Sequence, residues 1–213
     1  MAALAGFGNF VVLEGLVTPG EAGQTANDIA ASDDLFRWGV VSLYLVVVLD
    51  VVVAWALLGV FSPVSRGLSR LAAWFRLAYA GVFLVALSQL AGISDLVTGD
   101  DYSVAFTTEQ LQAQAMLKFE TFNDIWLAGL VLFGAHLVII GYLAYRSGYV
   151  PRLLGVLLVI AGVGYAFDTV STVLSDGSPI TVSTVTFLGE FVLAVWLLIW
   201  VRRRSFGADG HES

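Results

Sequence analysis

The chain has 213 residues, of which 58 % are hydrophobic and only 13 % are charged. Soluble domains carry about 25 % charged residues, so this composition indicates an integral membrane protein. The absence of cysteine excludes disulfides, thiolate metal sites and thiol nucleophiles. Acidic residues outnumber basic ones by 17 to 10 and Lys118 is the only lysine, which favours a halophilic host.

Long apolar stretches predict an all-α fold of six membrane-spanning helices, because about 20 apolar residues cross a bilayer core. The predicted spans are residues 1–17, 35–61, 71–96, 122–145, 153–174 and 182–201.

The loops between these spans carry recognisable helix signals. The polar loop 21–34 is predicted to hold one helical turn near 27–31, and Ser32 or Asp33 caps the second span. In the loop 97–120, Thr107 and Gln110 fit a capping box, which predicts a helix over 108–118. That helix either lies on the membrane surface or extends the fourth span.

The clearest topological signal is the hairpin 126–168, in which two apolar arms are joined by a short basic turn. Gly148 and Pro151 break the helix there, and Arg146 and Arg152 mark the side on which the turn lies. Further arginines occupy the turn after the second span and the end of the sixth, namely Arg66, Arg70, Arg202, Arg203 and Arg204. The positive-inside rule therefore predicts that both termini are cytoplasmic. We expect one transmembrane domain over 1–204 in the plasma membrane and a disordered tail over 205–213.

Ionisable residues inside the predicted spans are the candidates for function, since a charge facing lipid costs about 3 kcal/mol or more. They are Glu14, Asp50, Arg76, His136, Asp168 and Glu190. Tyr165 shares a helical face with Asp168, where neighbouring hydroxyls can hydrogen-bond Asp168. Arg37 lies at the outer end of the second span.

The four acids in this set have only Arg76 as an obligate cation, and they cannot all stay ionised in a low dielectric. Either some are protonated or a bound cation compensates them. Equally, Asp50 and Arg76 can form a buried pair while the other acids are protonated and hydrogen-bond between helices.

Several activities lack the residues that they need. No lysine lies in a span for a retinal Schiff base, and one intramembrane histidine supplies neither bis-histidine haem ligation nor a three-histidine zinc site. Phosphate-binding loops and hydrolase motifs are absent from the sequence. We predict no cofactor, assign no catalytic residue or metal ligand, and expect the basic clusters to contact lipid headgroups rather than nucleic acid.

Several stretches resemble a family of prokaryotic membrane proteins, domain of unknown function 4386. They are LFRWG, PVSRGLSRLAAWFRL, TTEQLQAQA, FGAHLVIIGYLAYRSGYVPRLLGVLLVIAGVGYAFD and GEFVLAVWLL. The positions that match are Phe36, Arg37, Asp50, Arg76, His136, Tyr142, Arg146, Ser147, Gly148, Tyr149, Pro151, Arg152, Gly155, Tyr165, Asp168 and Glu190. Glu14 matches none. The resemblance implies a six-helix membrane fold and no particular activity.

Three functions remain open from the sequence. The first, slightly favoured, is a small transporter coupled to protons or cations, whose partners are the bilayer and a small solute or cation. The second is a lipid-acting intramembrane enzyme in which Asp50, Asp168 and Glu190 are metal ligands or acid–base groups. The third is a non-catalytic scaffold or subunit. The sequence leaves the oligomeric state and any partner subunit undetermined.

Overall fold

A computed structural model describes residues 1–99, 102–174 and 196, and the described part is helical without strands. The elements in chain order are α1 (Ala2–Gly6), a π-helix (Phe7–Leu13), α2 (Glu14–Leu16), α3 (Ala22–Ala31), α4 (Asp33–Phe61), α5 (Arg66–Ala91), α6 (Ile93–Thr98), α7 (Thr108–Ser147) and α8 (Arg152–Leu174). The predicted sixth span 182–201, with Glu190, Arg202, Arg203 and Arg204, and the predicted tail 205–213 lie outside the described residues.

Four of the described helices are long and apolar enough to cross a membrane, and together they fit a membrane helix bundle. They are α4, α5 with α6, α7 and α8. The second and fifth spans were predicted to within two residues at either end, because their apolar runs stop at turns rich in glycine, proline and serine. The N-terminal stretch forms only a shorter apolar helix, Leu4–Leu16. The count of six spans and the cytoplasmic side of the termini remain predictions.

Three boundaries differ from the sequence expectation. The helix of the third predicted span begins at Arg66 rather than residue 71, and it is interrupted after Ala91, at Gly92. The single turn expected near 27–31 is a ten-residue helix, Ala22–Ala31. Its first turns are tied to the preceding segment, since the Thr25 hydroxyl donates to the main-chain oxygen of Thr18 and accepts from its N–H.

The loop predicted over 97–120 is mostly helical, because α7 runs for 40 residues without a break. The alternative in which residues 108–118 extend the fourth span is therefore correct. The predicted capping box is formed: the Thr107 N–H donates to Gln110 Oε1 at 2.9 Å, and the Gln110 N–H donates to Thr107 Oγ1 at 3.4 Å. This reciprocal pair satisfies two N–H groups where the helix starts.

The chain divides into two compact units, of which the first comprises Met1–Ala56 and Arg76–Gly129. In this unit the N-terminal helices pack closely on α4. A Cβ atom on Gly39 would lie 2.5 Å from Val12 Cγ1, and one on Gly8 would lie 2.7 Å from Leu43 Cγ. A side chain at either glycine would displace the side chain that faces it, so the two glycines allow the N-terminal segment to lie close to α4. The first unit therefore brings α4 and the part of α5 from Arg76 onward into one packed core.

The second unit comprises Leu57–Phe75 and residues from Leu130 onward. Its centre is the predicted hairpin, in which α7 and α8 run antiparallel. A Cβ on Gly134 would lie 2.5 Å from the Gly162 main-chain oxygen, and one on Gly141 would lie 2.6 Å from that of Gly155. These two glycine pairs set the spacing of the hairpin. Its turn contains Gly148 at φ +73°, as the sequence predicted for a helix break there.

Candidate functional site

The first unit contains a buried ion pair between α4 and α5. The side chains of Asp50 and Arg76 are only 1 % and 6 % exposed. Arg76 Nε and Nη2 both donate to Oδ1 of Asp50, at 2.9 and 2.5 Å. Both N–H groups therefore converge on one oxygen instead of being shared between the two. Among the residues that the structure describes, no hydrogen-bond partner reaches Asp50 Oδ2.

The depth of this pair follows from the tryptophans of α4. Trp38 and Trp55 are 66 % and 75 % exposed, and they lie about 26 Å apart along the helix axis. Tryptophan favours the membrane–water interface, and the hydrocarbon core is about 30 Å thick. Asp50 lies between them, about 8 Å from the level of Trp55. The pair is therefore surrounded by a low-dielectric environment in which a half-satisfied carboxylate is costly.

A third group lies close to Arg76 in the same unit. This group is the thioether of Met1, a weak acceptor whose Sδ atom is 3.8 Å from Nη2 of Arg76. Of these two contacts of Arg76, only the one to Asp50 is with a charged group.

The second unit holds His136 on α7, with 1 % of the residue exposed. Its Nδ1 atom lies 2.9 Å from the main-chain oxygen of Ala72. A carbonyl oxygen only accepts, so Nδ1 carries the proton, and in the neutral ring the lone pair is on Nε2. The ring stacks on Phe133 at 5.9 Å, and Phe133 meets Tyr165 edge-on at 5.7 Å. Packing therefore holds the imidazole in one orientation.

Asp168 and Tyr165 are buried on α8, at 2 % and 8 % exposure, as the face predicted from their spacing requires. The hydroxyls expected to hydrogen-bond Asp168 include those of Ser171 and Thr172. Both hydroxyls donate to the main-chain oxygen of Asp168, at 3.0 and 2.9 Å. Serine and threonine within a helix often donate in this way to the carbonyl three or four residues earlier.

Glu14 does not belong to the buried layer in which it was expected, because its side chain is exposed. The preceding π-helix changes the helical phase, and the residues turned inward just before it are Val12 and Leu13. Arg37 is exposed as well, and it pairs with Asp33 at 2.7 Å and with Asp95 at 3.7 Å. These contacts place Arg37 in a surface network at the start of α4.

The structure adds two features that the sequence reasoning did not single out. The first is the pair of glycine contacts in the hairpin, Gly134 with Gly162 and Gly141 with Gly155. Their common spacing of seven residues was a usable signal, since small residues seven apart lie on one helical face. The second is Ser69, whose buried hydroxyl has no partner among the described residues. No pattern in the sequence distinguishes it from other serines.

Metal binding receives no support from the described part of the chain. There, no three side chains of histidine, aspartate or glutamate lie close enough together to hold an ion. The first unit thus offers a buried charge pair in which one carboxylate oxygen has no described partner. The second unit, taken by itself, offers an oriented imidazole and a buried carboxyl group.

Comparisons with known proteins agree with the sequence pattern. The family described as "Domain of unknown function (DUF4386)" matches residues 1–200. An "Uncharacterized protein" of Archaeoglobus fulgidus is 34 % identical over 168 residues, which is 79 % of this chain and 86 % of that protein. No solved structure matches the chain.

Proposed function

This chain belongs to the DUF4386 family, and on the basis of its own residues we propose that it couples protons or cations to the movement of a small solute across the plasma membrane. The observation that carries the proposal is the ion pair of Asp50 and Arg76, whose Oδ2 oxygen has no donor among the described residues. A buried pair is often no more stable than a well-packed apolar pair, so its presence in a membrane core points to use rather than to stability.

The geometry supports a simple coupling step. Protonation of Asp50 at Oδ2, or binding of a cation there, cancels the attraction that holds Arg76 on Oδ1. The guanidinium then exchanges Asp50 for an anionic group of a solute, and loss of the proton restores the pair. Such a step gives two states whose balance depends on both the ion and the solute.

The test measures proton flux in proteoliposomes that carry an internal pH-sensitive dye, with an imposed pH gradient and a panel of small anionic solutes. We expect solute-dependent proton flux in the wild type and at least a ten-fold lower flux in Asp50→Asn. Glu14→Gln is the matched control, because it also removes one acid but at an exposed position, and it should keep wild-type flux. The proposal fails if the wild type carries no gradient-driven flux, or if Asp50→Asn carries as much as the wild type.

A second candidate, the non-catalytic scaffold, is favoured by the close packing of α7 on α8 and by the carbonyl partner of His136. It predicts that the charge pair is dispensable. If the protein is a scaffold, the double variant Asp50→Leu/Arg76→Met stays folded and keeps its cellular role. The wild type then shows no gradient-driven proton flux. The lipid-acting enzyme has less support, since the described residues bring no three potential ligands together.

We also infer the finer architecture from the arginine pattern: six spans in one domain, with both termini in the cytoplasm. The acidic, lysine-poor composition supports a halophilic host, because carboxylates retain water and hydrated cations in concentrated salt. The purified protein should then unfold when salt is lowered from molar to millimolar levels, as followed by circular dichroism. A fold that is indifferent to salt would contradict this inference.

A further inference from the structure

One end of the second unit is basic in a chain whose net charge is −7. Four arginines lie there, all with exposed side chains: Arg66, Arg70, Arg146 and Arg152. The segments 57–75 and 130–167 contain no aspartate or glutamate. Within the described part of the chain, none of the four forms an ion pair with a carboxylate. This surface, here named the arginine collar, therefore carries positive charge that the described residues do not neutralise.

Two of these guanidinium groups are held against tyrosine rings. The guanidinium carbon of Arg146 lies 5.9 Å from the centre of the Tyr142 ring, and its Nη1 is 3.4 Å from the Tyr142 hydroxyl. Arg152 lies 5.7 Å above the ring of Tyr145. Both tyrosines are 46 % exposed. Stacking restrains each guanidinium while its side chain stays exposed, so less conformational entropy is lost when an anion binds.

The turn that carries Arg146 and Arg152 is anchored to the end of α4. The Tyr149 hydroxyl donates to the main-chain oxygen of Val60 at 2.6 Å, and the Tyr149 ring stacks on Phe61 at 6.3 Å. Within the turn, the Val150 N–H donates to Ser147 Oγ. The collar is thus supported by a fixed turn.

We propose that the arginine collar binds the phosphate groups of anionic phospholipids, with Arg146 and Arg152 as its principal contacts. Guanidinium groups pair with phosphate oxygens in a bidentate manner, and the free charge complements an anionic headgroup. A lipid fits better than a soluble anion, because the collar lies at the ends of membrane-crossing helices. Leu153, next to Arg152, is 68 % exposed and offers apolar contact to an acyl chain.

The test compares the intact protein in nanodiscs of phosphatidylcholine alone with nanodiscs containing 20 % phosphatidylglycerol, and counts retained lipids by native mass spectrometry. The wild type should retain phosphatidylglycerol preferentially, and Arg146→Gln/Arg152→Gln should lose about five-fold of that preference for each arginine removed. The matched control is Arg37→Gln/Lys118→Gln, which changes the net charge equally in the first unit and should bind as the wild type does. Equal loss in both double variants would reduce the effect to net charge and overturn the proposal.

Two further arms keep the proposal falsifiable if the arginine variant does not fold. The wild type alone should unfold at a higher temperature in phosphatidylglycerol nanodiscs than in phosphatidylcholine nanodiscs, and an equal melting temperature would contradict the collar. The variant Tyr142→Leu/Tyr145→Leu keeps all four charges and should still bind more weakly. Unchanged lipid preference in that variant would overturn the positioning role of the two rings.

Discussion

At the scale of single residues, polar groups are buried in two different ways. His136 is a satisfied group, since its Nδ1–H has a carbonyl partner and its ring is stacked on Phe133. Asp50 is incompletely satisfied, because only one of its two oxygens receives the guanidinium. A satisfied buried group such as His136 holds helices together. An incompletely satisfied group such as Asp50 lowers the stability of the fold.

The role of His136 can be tested by stability measurements. Asparagine places an amide N–H near the position of Nδ1, so His136→Asn should keep the bond to Ala72 and lose little stability. His136→Ala loses both that bond and the ring packing and should cost roughly 2–4 kcal/mol. Thermal unfolding in detergent measures both. If the two variants melt together, the Nδ1 hydrogen bond does not stabilise the fold.

At the scale of elements, the hairpin of α7 and α8 depends on backbone contact. Its glycines occupy the crossing because any Cβ would overlap a main-chain oxygen of the partner helix. In a membrane, helix association relies on such close packing, since lipid provides no hydrophobic driving force. The sequence alone placed both helices, and the spacing of the glycines was the only sign of how they meet.

Gly162→Ala should therefore destabilise the protein, since its Cβ would lie 2.5 Å from the Gly134 main-chain oxygen. The expected loss is about 1–3 kcal/mol, as in other overpacked sites. The matched control is Gly81→Ala, where no atom lies within 4 Å and the gain in helix propensity should raise stability slightly. Opposite shifts in melting temperature are expected, and shifts of the same sign would contradict the packing argument.

The turn between α7 and α8 should also respond to alkaline pH. Burial raises the pKa of Tyr149 above its usual value of 10.0. The protonated phenol is thus favoured in the fold, so its contribution is present below about pH 10 and is lost as pH rises through the folded pKa. Tyr149→Phe should show a smaller fall in melting temperature between pH 9 and pH 12 than the wild type. A fall of equal size would assign the alkaline sensitivity to other groups.

At the scale of the whole molecule, the predicted cytoplasmic orientation of both termini can be tested by chemical labelling. The chain has no cysteine, so single introduced cysteines report on topology without background. Cysteine at Ser147, beside the basic turn, should be protected from a membrane-impermeant maleimide added to intact cells. Cysteine at Thr107, before α7, should be labelled. Reversal of this pattern would contradict cytoplasmic termini, and labelling of both sites would contradict a membrane-crossing α7.

Much of the fold and part of the candidate site could be predicted before any coordinates. Runs of about 20 apolar residues, interrupted by arginine and glycine, suffice to place α4, α8 and the apolar part of α7 and to indicate a membrane protein. Because a charge that faces lipid is costly, ionisable residues inside the spans were predicted to be buried. Four of them are buried in the structure: Asp50, Arg76, His136 and Asp168. The same reasoning was wrong for Glu14, because a π-helix changed the phase that an ideal 3.6-residue period assumes.

What only the tertiary structure decided is how these groups are partnered. The sequence showed that the ionisable candidates inside the predicted spans include one arginine and four acidic residues. It could not show which of them pair, because hydrogen-bond geometry depends on atoms contributed by distant parts of the chain. The structure directs Nε and Nη2 of Arg76 to a single oxygen of Asp50, and it gives His136 a main-chain partner that no sequence pattern encodes. The hydropathy of a single helix can be deduced from the sequence. Whether a buried polar atom finds a hydrogen-bond partner depends on how different helices pack.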